Sequence, residues 1–572
     1  MSFLRFALLS LLSLAASCGG ARPVRDERPN VVLVTLDTTR FDRVIGTERA
    51  ARLAPNLTAF ATECRSFTQA RSVGSLTLPA HASMMTGLYP PRHGARANGP
   101  QVLPPAADTL AELASQAGYA TAGFVGSLAL DRAYGIAQGF EHWDQPARGT
   151  DRVVGEISER TGREVAESAT RWISSRPAAD TRPLFLWAHF FDPHAPYAPP
   201  KQFLERAGGD PYDGEIAALD AAFGALLAGL RTQGVLEDAV VLIVADHGES
   251  LGEHGEATHG LFVYDATLHV PFLLRDPGGD RAGTVDETLV SVVDVLPTLL
   301  HAMEIGLPDG IDGACLYRHA APTERRLYCE SLEGWRLYGW SPLFAVVDAR
   351  GKYVHSSAPE FYDLARDPSE VNDLYAPFDD SFDVSDHERE LRRIAALPAL
   401  SFAPSVEVDE ARRRELEALG YTTSGHEADA FPAPGSTEDG PSPAASIAEA
   451  QAVEDALAWF VRGRFDEAAE RFAEILAANP LNRTAADRLI EIRMAREEWE
   501  AAMVLLRKRA ALPPETIALH RDLARCLTAL GRADEAEPHV RRSLELFIAY
   551  HERRGEQEEA ARYRRILADA PH

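Results

Sequence analysis

Between residues 29 and 423 the chain alternates two textures. Four runs, VVLVTLD (31–37), YATAGFV (119–125), LFLWAHF (184–190) and AVVLIVAD (239–246), are apolar almost throughout. A strand buried on one face alternates apolar and polar residues. An unbroken run predicts a strand covered on both faces, as in a parallel sheet layered between helices. Between the runs lie stretches of helical period such as EIAALDAAFGALLAGLRTQG (215–234), which closes on a glycine. The alternation predicts an α/β fold: a doubly wound, mostly parallel sheet with helices on both faces.

The texture changes twice more. Residues 424–446, SGHEADAFPAPGSTEDGPSPAAS, are rich in Pro, Gly, Ser and acid and read as a flexible linker. From 447 to 572 the pattern is all-helical and repeats. GRFDEAAERF begins at Gly463, EEWEAAMVLL at Glu497 and GRADEAEPHV at Gly531, a 34-residue period. The columns Phe465/Trp499/Ala533, Asp466/Glu500/Asp534 and Ala468/Ala502/Ala536 agree, and Pro480 and Pro514 stand one period apart. That period belongs to tetratricopeptide helix pairs, which bury their apolar faces by stacking on one another. Such arrays commonly bind a protein partner.

The N-terminus, MSFLRFALLSLLSLAASCGG, has an early arginine and an apolar run too short to span a bilayer. Cys18, flanked by small residues, resembles the lipidated cysteine of a bacterial lipoprotein. This predicts a signal peptide over 1–17, a tether over 18–28, and a protein anchored to a membrane of the cell envelope on its exported side, periplasmic or extracellular. An ordinary signal peptide with an incidental cysteine is the alternative. The formal charge of −27, with no basic run, argues against nucleic acid. Cys64, Cys315, Cys329 and Cys526 show no Cys-x-x-Cys spacing, which speaks against a thiolate zinc site and leaves a disulfide open.

Two of the apolar runs end in acid, at Asp37 and at Asp246-His247, and a third leads to Asp192 and His194. Ligands of open α/β sheets bind at the carboxyl ends of the strands. A buried run ending in Asp is costly unless the carboxylate is paired or ligates something. Oxygen donors with one imidazole suit a divalent ion such as Zn²⁺, Mn²⁺ or Mg²⁺. In SLTLPAHASMMTGLYPPRHG (75–94), Thr77 opens a helical pattern, where a threonine serves as an N-cap as readily as a nucleophile.

Five segments, in order, resemble the sulfatase-like branch of the alkaline phosphatase superfamily: RPNVVLVTLDTTRFD, SLTLPAHASMMTGLYPPRHGARANG, HFFDPHAPYAPP, ADHGESLGEHGEATHGLFVYDATLHVPFLLRDPG and FYDLARDPSEVNDL. The resemblance covers most of residues 29–423 and implies the doubly wound fold with its active site at the carboxyl edge of the sheet. It implies that Asp37, Asp246 and His247 ligate one divalent metal, that Thr77 is the nucleophile and completes the shell, that His194 contacts the substrate, and that His259 falls near a position held by a basic or zinc-binding residue.

Departures from the family pattern carry information. Where authentic sulfatases have Cys-x-Pro-x-Arg or its serine form, converted to formylglycine, this chain has Thr77-Leu78-Pro79-Ala80-His81. Oxidised threonine would be a ketone whose methyl crowds hydration. His81 replaces the pattern's arginine, Thr38 its second acid, and His247 an asparagine common in calcium-dependent members. The last change favours Zn or Mn over Mg or Ca, and a second metal is doubtful. Threonine nucleophiles belong to superfamily members that cleave or transfer phosphoesters.

The leading expectation is therefore a metal-dependent hydrolase of phosphate mono- or diesters or phosphonates, taking a small-molecule, glycan or lipid ester. Alternatives are a sulfuric ester hydrolase proper, a transferase passing a phospho-group to an envelope acceptor, and an inactive scaffold presenting the repeats.

Overall fold

The computed structural model describes residues 28–99, 101–146, 160–317, 324–375, 383–400, 431–436, 440–512, 515–553 and 557–569. The signal segment, Cys18 and Pro514 lie outside these residues.

An eight-stranded mixed sheet forms the centre. Its strands are β1 (Asn30–Leu36), β2 (Arg65–Arg71), β3 (Ala120–Val125), β4 (His142–Asp144), β5 (Leu184–Phe190), β6 (Ala239–Ala245), β7 (Phe272–Arg275) and β8 (Val285–Ser291). They lie in the order β4-β3-β5-β1-β6-β7-β2-β8. Only β7 runs antiparallel to its neighbours; the other pairs are parallel. Every residue of β3, β5 and β6, and all of β1 after Asn30, is buried, as unbroken apolar runs require. Each fully buried Val, Leu or Phe contributes about 1.5–3 kcal/mol relative to exposure. The centre of the sheet is thus a rigid base for what its strand ends carry.

A second sheet was not anticipated. Strands β9 (Leu327–Ser331), β10 (Leu343–Asp348), β11 (Gly351–His355) and β12 (Glu360–Tyr362) form an antiparallel meander in the order β12-β11-β10-β9. Gly351, at φ 147°, lies so near β12 that a Cβ would sit 2.0 Å from the Tyr362 carbonyl oxygen. The meander steadies the lead-in to Thr77: Glu330 N–H donates to Val73 O at 2.9 Å, and Arg96 pairs with the Glu330 carboxylate at 2.6 Å.

The described parts of segment 424–446 are not a free tether. Arg96 lies over the Phe431 ring and donates to Pro432 O at 3.0 Å. Ser341 N–H donates to Pro441 O at 2.9 Å, and a helix begins at Pro443. The Pro- and Gly-rich composition hides a docked aromatic and backbone bonds that residue counts do not register.

Helices Pro443–Val461, Phe465–Ala478, Arg483–Ala495, Trp499–Ala510, Ile517–Ala529, Ala533–Arg553 and Gln557–Asp569 pack each on the next. The 34-residue period is visible in the backbone. Gly463, Glu497 and Gly531, two residues before equivalent helix starts, all have positive φ, at 74°, 59° and 72°. Ala468, Ala502 and Ala536 are all buried. The array is bolted to the α/β domain through Trp340, whose indole N–H donates to Glu449 at 3.1 Å, and through Asn479, whose amide donates to Tyr338 O at 2.9 Å. Leu337, Tyr338 and Trp340 share one apolar cluster with Val453, Phe472 and Leu489. Cys64, Cys315, Cys329 and Cys526 are free thiols. Among the described residues, no helix is long and apolar enough to cross a membrane.

Candidate active site

β1 lies between β5 and β6 and pairs in parallel with both, so the residues that follow β1 and β6 emerge side by side. Asp37 N–H donates to Phe190 O at 2.9 Å and Asp246 N–H to Leu36 O at 3.3 Å, which extends the ladder to both acids. Thr38, a β-branched residue at φ 45°, holds the left-handed turn that lets its N–H donate to Asp246 Oδ1 at 3.2 Å. Backbone strain of this kind costs on the order of 1–3 kcal/mol and clusters at functional sites.

Asp37, Asp246 and His247 are fully buried, and their ligand atoms lie within 4.8 Å of one another. His247 Nδ1–H donates to Gly248 O at 2.9 Å, which leaves Nε2 as the lone pair, 3.7 Å from Asp246 Oδ2 and 3.8 Å from Asp37 Oδ1. Both Asp37 oxygens, Asp246 Oδ2 and His247 Nε2 have no hydrogen-bond partner among the described residues. Burial pushes the Asp37 carboxyl up to about 7, and burial with the neighbouring Asp37 charge raises Asp246. Orphaned anionic oxygens beside an orphaned imidazole nitrogen fit a divalent cation.

Thr77 opens the helix Thr77–Thr86 and is fully buried. Leu76 occupies the cap position and makes no side-chain capping bond, so Thr77 is the first helical residue and not the cap. His81, one turn on, stands between its carbonyl and Asp246. Its Nδ1–H donates to Thr77 O at 2.8 Å and lies 3.6 Å from Asp246 Oδ2. His81, expected among the catalytic residues, is fully buried, as Thr77 itself is, and bonds the Thr77 carbonyl.

Two residues escaped the sequence reading. Thr35 Oγ1 accepts from Trp187 Nε1–H at 2.9 Å and meets His81 Nε2 and His189 Nδ1, each at 3.0 Å. Burial pushes the two imidazoles down to about 3 and about 4, which keeps them neutral. His81 spends its proton on Thr77 O, so the Thr35 hydroxyl donates to His81 and accepts from His189 Nδ1–H. His189 Nε2 is then a lone pair facing Asp37 Oδ2 at 3.3 Å. Two electron-rich atoms so placed need a proton between them or a metal cation beside them. His189→Gln is expected to weaken divalent-metal binding by about 10- to 100-fold, read by equilibrium dialysis. Unchanged affinity would leave His189 a packing residue.

The other missed residue is Glu249. His259 Nδ1 shares a 2.9 Å hydrogen bond with Glu249 Oε1, and Tyr197 O–H donates to Oε2 at 2.8 Å. Burial pushes Glu249 up to about 8 and His259 down to about 4, so the pair holds one proton near neutrality. The His259 ring lies 4.6 Å from His247 and 5.0 Å from His194, whose Nδ1–H donates to Ala195 O at 2.6 Å. Asp192 is turned elsewhere. Its carboxylate accepts from Gly162 N–H at 2.5 Å, at the start of the helix Gly162–Ser175. His189 and Glu249 could have been found as polar residues set among buried positions, which need a partner.

Residues 29–305 match the sulfatase family model, and residues 252–392 match the model for the C-terminal region of N-sulphoglucosamine sulphohydrolase. The chain is 24% identical over 435 residues to an arylsulfatase of Clostridium perfringens (strain 13 / Type A), covering 61% of this chain and 90% of that one. It is 30% identical over 183 residues to the multifunctional alkaline phosphatase superfamily protein PehA of Trinickia caryophylli, 28% of this chain and 35% of that one. The phosphonate monoester hydrolase of Agrobacterium radiobacter superimposes with a TM-score of 0.55 at 22% identity, over 64% of this chain and 96% of that structure. Its likeness is one of fold. Residues 29–305 are thus sulfatase-family sequence, and the similarity to sulfatases continues through residue 392.

Proposed function

We propose that this sulfatase-family hydrolase cleaves phosphorus esters, a phosphate mono- or diester or a phosphonate ester, with Thr77 as nucleophile. The observation that carries this is Thr77 itself, buried at a helix start, its backbone carbonyl held by the His81 imidazole that also faces Asp246. A threonine offers a hydroxyl and no route to a hydrated aldehyde.

A divalent cation held by Asp37, Asp246 and His247 supplies, when bound, positive charge that draws in an ester oxygen and makes a nearby hydroxyl more acidic. The residues do the rest. His81 fixes the carbonyl of Thr77, and the helix dipole favours negative charge at that end. The Thr77 oxygen gives its proton to solvent and bonds to phosphorus while the bond to the leaving alcohol breaks. The Glu249–His259 pair, holding one proton, passes it to the departing oxygen. His194 orients the ester. Water then cleaves the phospho-threonine.

Offered an aryl sulfate, an aryl phosphate, a bis-aryl phosphate and an aryl phosphonate, the metal-loaded protein is expected to turn over a phosphorus ester fastest. Preferred sulfate turnover would replace this reading with a sulfuric ester hydrolase, which the similarity to an arylsulfatase favours. No turnover together with no bound metal would point to a scaffold. We read the C-terminal helices as tetratricopeptide repeats with a protein partner, and Cys18 as a lipid anchor at the cell envelope.

A further inference from the structure

A cleft of about 330 Å³ opens in front of His194 and His259. One side belongs to the α/β domain and includes Leu76, the residue before Thr77. The opposite side is the first C-terminal helix, Pro443–Val461, which presents Ile447, Ala450, Gln451 and Glu454. Their spacing is that of one helix face.

The wall is fixed in place. Gln451 Nε2 donates to Gly255 O at 3.2 Å, and Ile447 packs so closely on Gly255 that a Cβ there would sit 3.2 Å from its Cγ1. On the far face of the same helix, Glu449 accepts from Trp340, from Asn479 at 2.7 Å and from Asn482 at 2.6 Å.

The charge in the cleft has one sign. Its carboxyls are Glu256, Glu333 and Glu454, and no Lys or Arg is among its described lining residues. Glu256 accepts from Leu261 N–H at 2.7 Å, and Glu333 is paired with Arg336 at 2.6 Å. Glu454 is exposed and lines the cleft.

Resting on the hydrolase reading above, we propose that the first C-terminal helix is part of the substrate site. Through Glu454 it selects esters whose leaving alcohol is cationic over neutral ones, and rejects alcohols that carry a further anionic group. The helical array then sets specificity at the catalytic centre, in addition to any partner it binds elsewhere.

The test compares three phenylphosphonate monoesters whose leaving phenols bear a 3-trimethylammonio, a 3-methyl or a 3-carboxylate group. The ratio of kcat/KM for the cationic over the anionic ester is measured in the wild type, in Glu454→Gln and Glu454→Lys, and in Asp455→Lys. Asp455 is the exposed neighbour that does not line the cleft, and it controls for net charge. The ratio is expected to fall about tenfold in Glu454→Gln and further in Glu454→Lys, while Asp455→Lys keeps the wild-type ratio. Hydrolysis of the neutral ester with one ratio common to all four proteins would overturn the inference alone. The same three phenols are presented also as phosphate monoesters and as methyl phosphate diesters, and failure to hydrolyse any of these esters would overturn the hydrolase reading, and this inference with it.

Discussion

Thr77→Ala is expected to reduce turnover of phosphorus esters by on the order of 10⁴-fold or more, the scale on which loss of a nucleophile acts. The loss should be chemical and not structural. Thr77 is the first residue of its helix and does not occupy the cap position. Alanine is also the better helix former. Circular dichroism and melting temperature should therefore stay near the wild-type values. Thr77→Ser keeps the hydroxyl and should retain measurable turnover. In the wild type, quenched single-turnover reactions should show one phosphoryl group on the Thr77 peptide by mass spectrometry, absent from the alanine variant. An alanine variant within tenfold of wild type would remove Thr77 from the chemistry and leave it a buried helix residue.

The elements most legible from sequence were those whose surroundings leave no choice. LFLWAHF matches β5 residue for residue, because a strand covered on both faces can hold little but apolar side chains. The helix read over 215–234 runs from Pro211 to Thr232, its start set earlier by Asp210, which accepts from Asp213 N–H at 3.1 Å. The second sheet escaped because its strands are three to six residues long and half of them are built of mixed side chains. The linker escaped for a different reason. Composition reports what a segment contains, whereas Phe431 is held by Arg96, more than 300 residues away in the chain.

The site divides in the same way. Asp37, Asp246 and His247 could be picked out because each ends a run that has no other use for a charged group. His189 and Glu249 act through partners brought together by the sheet register. Thr35 lies beside His189 because β1 pairs with β5, a relation spacing along the chain does not encode. His81 has the reverse history. It stands where the family pattern has an arginine, and the helix turns it inward, toward Thr35 and Asp246. A helical residue four positions after the first lies on the same face one turn deeper, and here that turn is inside the protein.

The second large effect expected is on stability, and its sign depends on pH. Stripping divalent ions with a chelator leaves two buried carboxyls that no hydrogen bond fully satisfies. The folded Asp37 carboxyl is raised to about 7 from an unfolded value near 4. Without a cation, the folded chain therefore binds a proton that the unfolded chain releases. Stability from this group is fully present below about pH 4 and is lost as pH rises through about 7. Asp246, also raised, acts in the same direction. A bound cation takes the proton's place, removes that slope, and competes better as pH rises. At a hundredfold excess over its Kd it would add about 2.7 kcal/mol. The chelated protein should thus melt at steadily lower temperature between pH 5 and pH 7.5, while the Mn²⁺- or Zn²⁺-loaded protein holds level, so the gap widens with pH. Asp37→Asn should close most of the gap by removing both the titrating carboxyl and a ligand. Melting curves that stay parallel across this range, with and without metal, would mean that the acids at the ends of β1 and β6 do not share a cation.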